Sequence, residues 1–229
     1  MRKKIAVIAA HPDDEVLGCG GVMAKHSRAG DTVSVLLLAE GVTSRSERRD
    51  RSRSENDLAD LAEMAQKAND ILGVQTLRLH GFPDNRMDSV DLLDVVKVTE
   101  GFLEEVQPDI VYTHHGSDLN IDHRIVHEAV VTACRPMPGG IRPTLLFFEV
   151  ASSSEWQTPG SVHPFVPNWF EDISETVVLK MQALRVYASE MKPWPHARSI
   201  EALQGLAAWR GSTVGVEAAE AFVLGRYVG

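Results

Sequence analysis

The sequence is poor in cysteine, with two in 229 residues. Cys19 and Cys134 lie far apart and show no CxxC spacing, which excludes both a disulfide framework and a thiolate metal centre. Both read as small core residues, with a free reactive thiol as the alternative. Positive charge is also in deficit: 23 Lys and Arg face 32 Asp and Glu, giving a net charge of −9. The one basic cluster, Arg45 to Arg53, is interleaved with Glu47, Asp50 and Glu55 on what reads as a helix, so nucleic acid is not an expected partner. Such a run usually faces solvent; contact with the phosphate of an activated sugar is the sharper alternative. Long apolar runs are missing too. Met1–Lys4 followed by Ile5–Ala10 imitates the start of a secretory signal, but His11, Asp13 and Asp14 interrupt it after six apolar residues. No later stretch approaches the roughly 20 residues of a membrane span, and a cytoplasmic protein without membrane insertion is expected. There is no internal repeat and no low-complexity tract. A hydrophobic content of 44% over this length suits one compact domain over residues 1–229.

What is present alternates. Ile5–Ala10 and Thr32–Ala39 are β-branched-rich runs without polar alternation, the pattern of strands buried on both faces of a parallel sheet. Leu17–Ala29, ending at Gly30, reads as the helix between them. A helix from about Arg51 to Leu72 closes at Gly73 and leads to a strand at Gln75–Leu79, then to the turn Gly81-Phe82-Pro83-Asp84-Asn85. Ser89 is expected to cap a helix running to about Val106, with Pro108 just beyond its end. The strand Asp109–Thr113 delivers His114 and His115 at its C-terminal end. Ile125, Val126, Ala129, Val130 and Ala133 keep helical spacing, which puts His123 in a first turn. Thr144–Val150 reads as a fifth strand, and Ala151–Asn168, aperiodic and rich in Ser, Pro and aromatics, as a functional loop. Helices at about Glu175–Ala188 and Ser199–Gly211 precede a last strand near Ala221–Tyr227. The alternation predicts an α/β, Rossmann-like three-layer α/β/α sandwich with a mostly parallel sheet. Gly18, Gly20 and Gly21 match neither the dinucleotide fingerprint nor a P-loop and are expected to let a helix pack closely on the sheet. Tyr112 reads as a core aromatic.

In an open parallel sheet, ligands bind beyond the C-terminal strand ends, where strand order reverses. The turn His11-Pro12-Asp13-Asp14-Glu15 occupies that place after the first strand. One imidazole and three carboxylates in five residues repel one another unless a divalent cation neutralises them. A merely acidic helix-capping turn needs neither His11 nor a third acid. His11 and Asp14, three apart across the turn, are placed to share an ion while Asp13 points elsewhere. A catalytic zinc takes about three protein ligands and keeps one position open. His123 follows its strand as His11 follows the first, and is the expected third ligand. Iron(II), cobalt(II) and manganese(II) suit the same donors.

HPDDE after a first strand, with a downstream Asp122-His123 opening a helix, resembles the PIG-L/LmbE family of zinc-dependent N-acetyl sugar deacetylases. Asp84-Asn85 and the Ala219-Glu220-Ala221-Phe222 ending extend the resemblance over most of the chain. It implies Zn2+ on His11, Asp14 and His123, with Asp13 as general base. The implied reaction is hydrolysis of an N-acetylated amino sugar, such as an N-acetylglucosamine conjugate, by metal-activated water. Many family members carry a histidine three residues before the zinc-binding histidine, where this chain has Asn120. Its amide can support an oxyanion but cannot relay a proton, so Asp13 is expected to act as base and acid, with His114, His115 and His127 as alternative donors. Asp84 matches a family position that grips sugar hydroxyls, and Asp122 is placed to orient a metal-bound group. Trp156, His163, Phe165 and Trp169, with Trp194-Pro195-His196-Ala197-Arg198, are candidate pocket walls; a surface loop or a contact within a homo-oligomer is the other reading. Two other functions fit a similar metal site: a hydrolase of a non-sugar amide or phosphate ester, and a non-catalytic sugar- or nucleotide-binding module.

Overall fold

The computed structural model describes residues 2–45, 49–50, 54–158, 160 and 162–228. Its strands are β1 Lys4–Ala9, β2 Thr32–Ala39, β3 Thr76–Phe82, β4 Ile110–His114, β5 Thr144–Phe148, β6 Trp169–Asp172 and β7 Ala219–Arg226. Its helices are α1 Asp14–Arg28, α2 Glu55–Leu72, α3 Leu92–Val106, α4 Ile121–Ala133, α5 Val177–Val186 and α6 Ile200–Ser212. The strands make one sheet in the order β3-β2-β1-β4-β5-β7-β6. β1 runs parallel to β2 and β4, β2 to β3, and β4 to β5. β7 is antiparallel to both β5 and β6. This is the mostly parallel sandwich that the alternation of elements predicts.

The absence of polar alternation in β1 has a direct cause. Ile5, Val7 and Ala9 enter the apolar layer shared with α1, α2, α5 and α6, whereas Ala6, Ile8 and Ala10 enter the layer shared with α3 and α4. Because successive side chains point to opposite faces, a strand covered on both sides must be apolar throughout. From β1 the chain builds outward to β2 and β3, then returns to lay β4 on the other side. Strand order therefore reverses between β1 and β4, and the segments leaving these two strands share one crevice.

Several boundaries differ from the sequence expectation. Helix α1 begins at Asp14, inside the acidic turn, and is broken at Cys19 (φ −148°, ψ 24°). At the break the Leu17 carbonyl accepts from Lys180 Nζ at 2.8 Å. The amides of Gly21 and Val22 donate instead to the Glu220 carboxylate, at 2.9 and 2.7 Å. Lys180 and Glu220 are themselves paired at 2.6 Å and both are buried. Glycine is required here by space: a Cβ at Gly18 would overlap the Phe148 ring, and one at Gly21 would lie 2.7 Å from Ile173. Ser89 closes a short 3-10 turn, Met87–Ser89, and Asp91 precedes α3. The four-residue strand β6 has no counterpart in the sequence reading. Residues 46–48 and 51–53 of the basic cluster, and with them the expected helix start at Arg51, lie outside the described residues; Arg49 pairs with Glu40 at 2.7 Å. Both cysteines are free and buried, and Tyr112 is a core residue. Among the described residues no helix is long and apolar enough to cross a membrane.

Candidate metal centre

The turn leaving β1 folds its own carboxylates back onto its backbone. The amide of His11 donates to Asp14 Oδ2 at 2.9 Å, and that of Asp13 to Glu15 Oε2 at 3.0 Å. Asp13 sits at φ 111°, ψ −31°, a conformation that side chains disfavour and that persists only where the surroundings enforce it. The enforcement is visible, because Glu15 is held in turn by the Tyr187 hydroxyl at 2.7 Å and by Asn69 Nδ2 at 3.0 Å.

The crevice brings three donors together. His11 Nδ1 and His123 Nε2 each lie 3.1 Å from Asp14 Oδ2, and one ligand atom from each of the three residues lies within 4.8 Å of the others. Asp14 is fully buried, and its second oxygen, Oδ1, has no hydrogen-bond partner among the described residues. A buried carboxylate oxygen without a donor is costly, whereas a cation satisfies it. Two imidazoles and one carboxylate are also the donor types of a zinc or related divalent site. The residues present therefore fit such an ion.

Both histidines are backed by carboxylates. His11 Nε2 lies 2.9 Å from Asp122 Oδ2 and 3.3 Å from Asp84 Oδ1. Asp122 also accepts the amides of Asn85 and Met87, at 2.6 and 3.0 Å, so the turn after β3 is fixed to the same carboxylate. His123 Nδ1 lies 3.1 Å from Asp118 Oδ1, an ion-pair distance outside hydrogen-bond geometry. Burial alone depresses a histidine, yet the hydrogen bonds and charges of Asp122 and Asp14 leave His11 raised well above its ordinary value. For His123, Asp14 and Asp118 overcome burial and raise it to about 9. Asp14, opposed by burial, is held well below the usual carboxylate range by His123 and His11.

Asp13 faces a different partner. Its Oδ2 accepts from Arg198 Nη1 at 2.7 Å. Burial nevertheless prevails over the guanidinium and leaves the carboxyl well above its ordinary value.

Asn120 caps α4: its Oδ1 accepts the Asp122 amide at 2.8 Å and its Nδ2 donates to Asn85 Oδ1 at 2.8 Å. Asp84 is buried, with its oxygens accepting from the Ser44 amide at 3.0 Å and from Asn85 Nδ2 at 2.9 Å. Of the three alternative histidines, only His114 reaches the centre. Its ring stacks on His123 with centroids 3.9 Å apart, and its Nε2 accepts the Ala10 amide at 2.8 Å, which places its proton on Nδ1. Burial, then the neighbouring His123, holds His114 well below its ordinary value. His115 and His127 are turned to the carbonyls of His163 and His114. The sequence reading missed Asp118 altogether and included Arg198 only as part of a pocket wall; neither has a local motif that marks it.

A Rossmann-like sandwich with a buried His-Asp-His cluster at the reversal of strand order defines an α/β protein whose central crevice gathers residues that could hold a divalent ion. The chain belongs to the PIG-L family, whose profile, described as GlcNAc-PI de-N-acetylase, matches residues 6–134. The uncharacterized deacetylase YaiS of Escherichia coli K12 is 30% identical over 195 residues, covering 82% of this chain and 92% of its own. The probable N-acetyl-alpha-D-glucosaminyl L-malate deacetylase 2 of Bacillus anthracis is 25% identical over 190 residues, covering 82% and 81%. The crystal structure of GalB, the 4-carboxy-2-hydroxymuconate hydratase of Pseudomonas putida KT2440, matches with a TM-score of 0.76 at 22% identity over 100% of this chain and 99% of its own. At that identity the likeness to GalB is one of fold.

Proposed function

We propose that this chain is a zinc-dependent hydrolase that removes the acetyl group from an N-acetylated amino sugar, an N-acetylglucosamine unit borne by a conjugate, and that residues 1–229 form one such domain. The observation that carries the reading is Asp14 Oδ1, without a hydrogen-bond partner among the described residues, inside the His11-Asp14-His123 cluster, with the Arg198-paired Asp13 beside it. Membership of the PIG-L family and the deacetylase names of its relatives support the choice of reaction.

His11, Asp14 and His123 would hold the ion. When bound, zinc supplies Lewis acidity, lowering the pKa of water and polarising a carbonyl. The remaining work falls to the side chains. Asp13 takes a proton from water as its oxygen attacks the acetamide carbon, then delivers that proton to the amine nitrogen as the C–N bond breaks, leaving acetate and a free amine. Arg198 keeps the Asp13 carboxylate aimed while this happens. Among the described residues the Asn120 amide donates one hydrogen, to Asn85, and we assign its other hydrogen to the developing oxyanion. Asp122 and Asp118 fix the two imidazoles, as carboxylates behind metal-bound histidines commonly do. Asp84, with both oxygens engaged, acts on His11 and its own turn rather than on a sugar hydroxyl.

The test is acetate release from a panel of N-acetylated sugars and sugar conjugates by protein stripped of metal and reloaded with zinc, beside the His123→Ala variant. Zinc-restored release that the variant lacks is expected. Phosphate release from phosphate esters without any acetate release, or silence across the panel with zinc bound, would overturn the reading.

A further inference from the structure

Three consecutive serines in the turn after β5 reach the two halves of the crevice separately. The turn hangs from Val150, which is fully buried. The Val150 carbonyl accepts the amides of Ser153 and Ser154 at 3.1 and 2.9 Å, and its own amide donates to Ser154 Oγ at 2.8 Å. Glu155 closes the turn, its carboxylate accepting the amides of Ser152 at 2.6 Å and Ser153 at 3.3 Å. From this frame the Ser153 hydroxyl donates to Asp118 Oδ1 and that of Ser154 to Asp118 Oδ2 at 2.6 Å, and Asp118 stands behind His123. Ser152 serves the other half. Its Oγ accepts from Arg198 Nε at 2.7 Å, while Arg198 Nη1 donates to Asp13 Oδ2 at 2.7 Å.

The backbone shows what Ser152 is for. It adopts φ 69°, a left-handed conformation open to glycine and disfavoured for a residue with a side chain. Among the described residues its hydroxyl makes one hydrogen bond, to Arg198. A serine held at such an angle is accounted for by that contact, since glycine would satisfy the turn without strain. Asp13, at the far end of the same guanidinium, is also at positive φ. Asp118 makes the complementary case: it is fully buried, so its carboxylate needs donors, and the two serine hydroxyls join the Asn120 amide in supplying them.

We propose that Ser152, Ser153 and Ser154 are positioning residues that set the general base against the metal. Ser152 holds Asp13 through Arg198, and Ser153 and Ser154 hold His123 through Asp118, so one short turn fixes the separation between the group that moves the proton and the arm that carries the ion. That separation matters because a displacement of about 1 Å costs on the order of 100-fold in rate. The inference rests on the deacetylase reading above.

The two connections are separable by substitution. Ser152→Gly relieves the left-handed backbone and removes the hydroxyl. In zinc-loaded protein, acetate release from the N-acetylated sugars of the panel above should lose roughly 3- to 30-fold in kcat, the worth of a hydrogen bond to a charged group. KM, zinc affinity against a competing chelator and the urea midpoint should hold. Ser152→Asn, which tolerates a left-handed backbone and offers Arg198 a carbonyl, should restore part of the loss. Ser153→Ala and Ser154→Ala should instead each weaken zinc affinity about 3- to 10-fold. A readout independent of turnover is the Arg198 Nε–H signal in heteronuclear NMR, assigned by its loss in Arg198→Lys. It should exchange slowly with water, exchange fast in Ser152→Gly and slowly again in Ser152→Asn. Unchanged kcat or a slow Nε–H in Ser152→Gly, or zinc affinity altered alike by all three serine variants, overturns the proposal. If the NMR and chelator results come out as expected while no sugar of the panel releases acetate, the deacetylase reading fails and the positioning turn stands.

Discussion

Asp13 combines a disfavoured backbone, a buried carboxyl and an arginine partner drawn from 185 residues away. If it moves the protons, Asp13→Asn should retain zinc by elemental analysis and lose on the order of 10²–10⁴ in turnover; near-normal turnover in zinc-replete protein would refute the role. Asp122→Asn weakens the hold on His11 and on the turn after β3, and zinc affinity measured against a competing chelator should fall about 10- to 100-fold. Glu15 gives a pH signature. Burial raises it from 4.5 to about 7, so its stabilising contribution is complete below about pH 4.5 and is lost as pH rises through about 7. Metal-free protein should therefore become easier to unfold with urea between pH 5 and 8, and Glu15→Gln should flatten that slope. That His11, Asp14 and His123 come together was legible in the sequence, because His11, Asp13 and Asp14 share one turn and His123 occupies the equivalent place after β4. Arg198 and Asp118 were not, because each acts on a residue brought near only by the fold and carries no spacing signal.

Helix α1 shows how an element can be predicted and still differ in kind. Its apolar spacing suggests a helix starting at Leu17, but the acidic turn winds directly into it at Asp14, and the price of the break at Cys19 is met by Glu220 and Lys180. Removing one partner of a buried ion pair costs about 3–5 kcal/mol, and Glu220→Ala also strands two amides. Its urea midpoint should drop accordingly, and a loss below about 1 kcal/mol would show that the break is held by something else. The strands β1, β2 and β4 were readable to within a residue or two, since burial on both faces leaves an unmistakable apolar run. β6 was not readable: it has four residues, two of them acidic, and it pairs only with β7 at the sheet edge.

At the scale of the molecule, the family match spans residues 6–134, which include most of β1, all of β2, β3 and β4, and the three proposed ligands. The serine turn, Arg198 and Glu220 come from the remainder, and the resemblance to GalB shows that the same scaffold accompanies another chemistry. Loading the site should stabilise the whole fold by about 2.7 kcal/mol at a hundredfold excess of zinc over its Kd. For a chain of this size that is a melting-point rise of roughly 5–11 °C; identical melting with zinc and with a chelator would argue against a site joined to the core. His11 and His123 lie more than a hundred residues apart yet follow neighbouring strands in the middle of the sheet. An ion held between them is a removable crosslink, closing a loop long enough that the entropy withheld from the unfolded chain is on the order of that of a long-range disulfide. A chain with almost no cysteine would thus possess a staple of its own, one that availability of metal, rather than oxidation, fastens and releases.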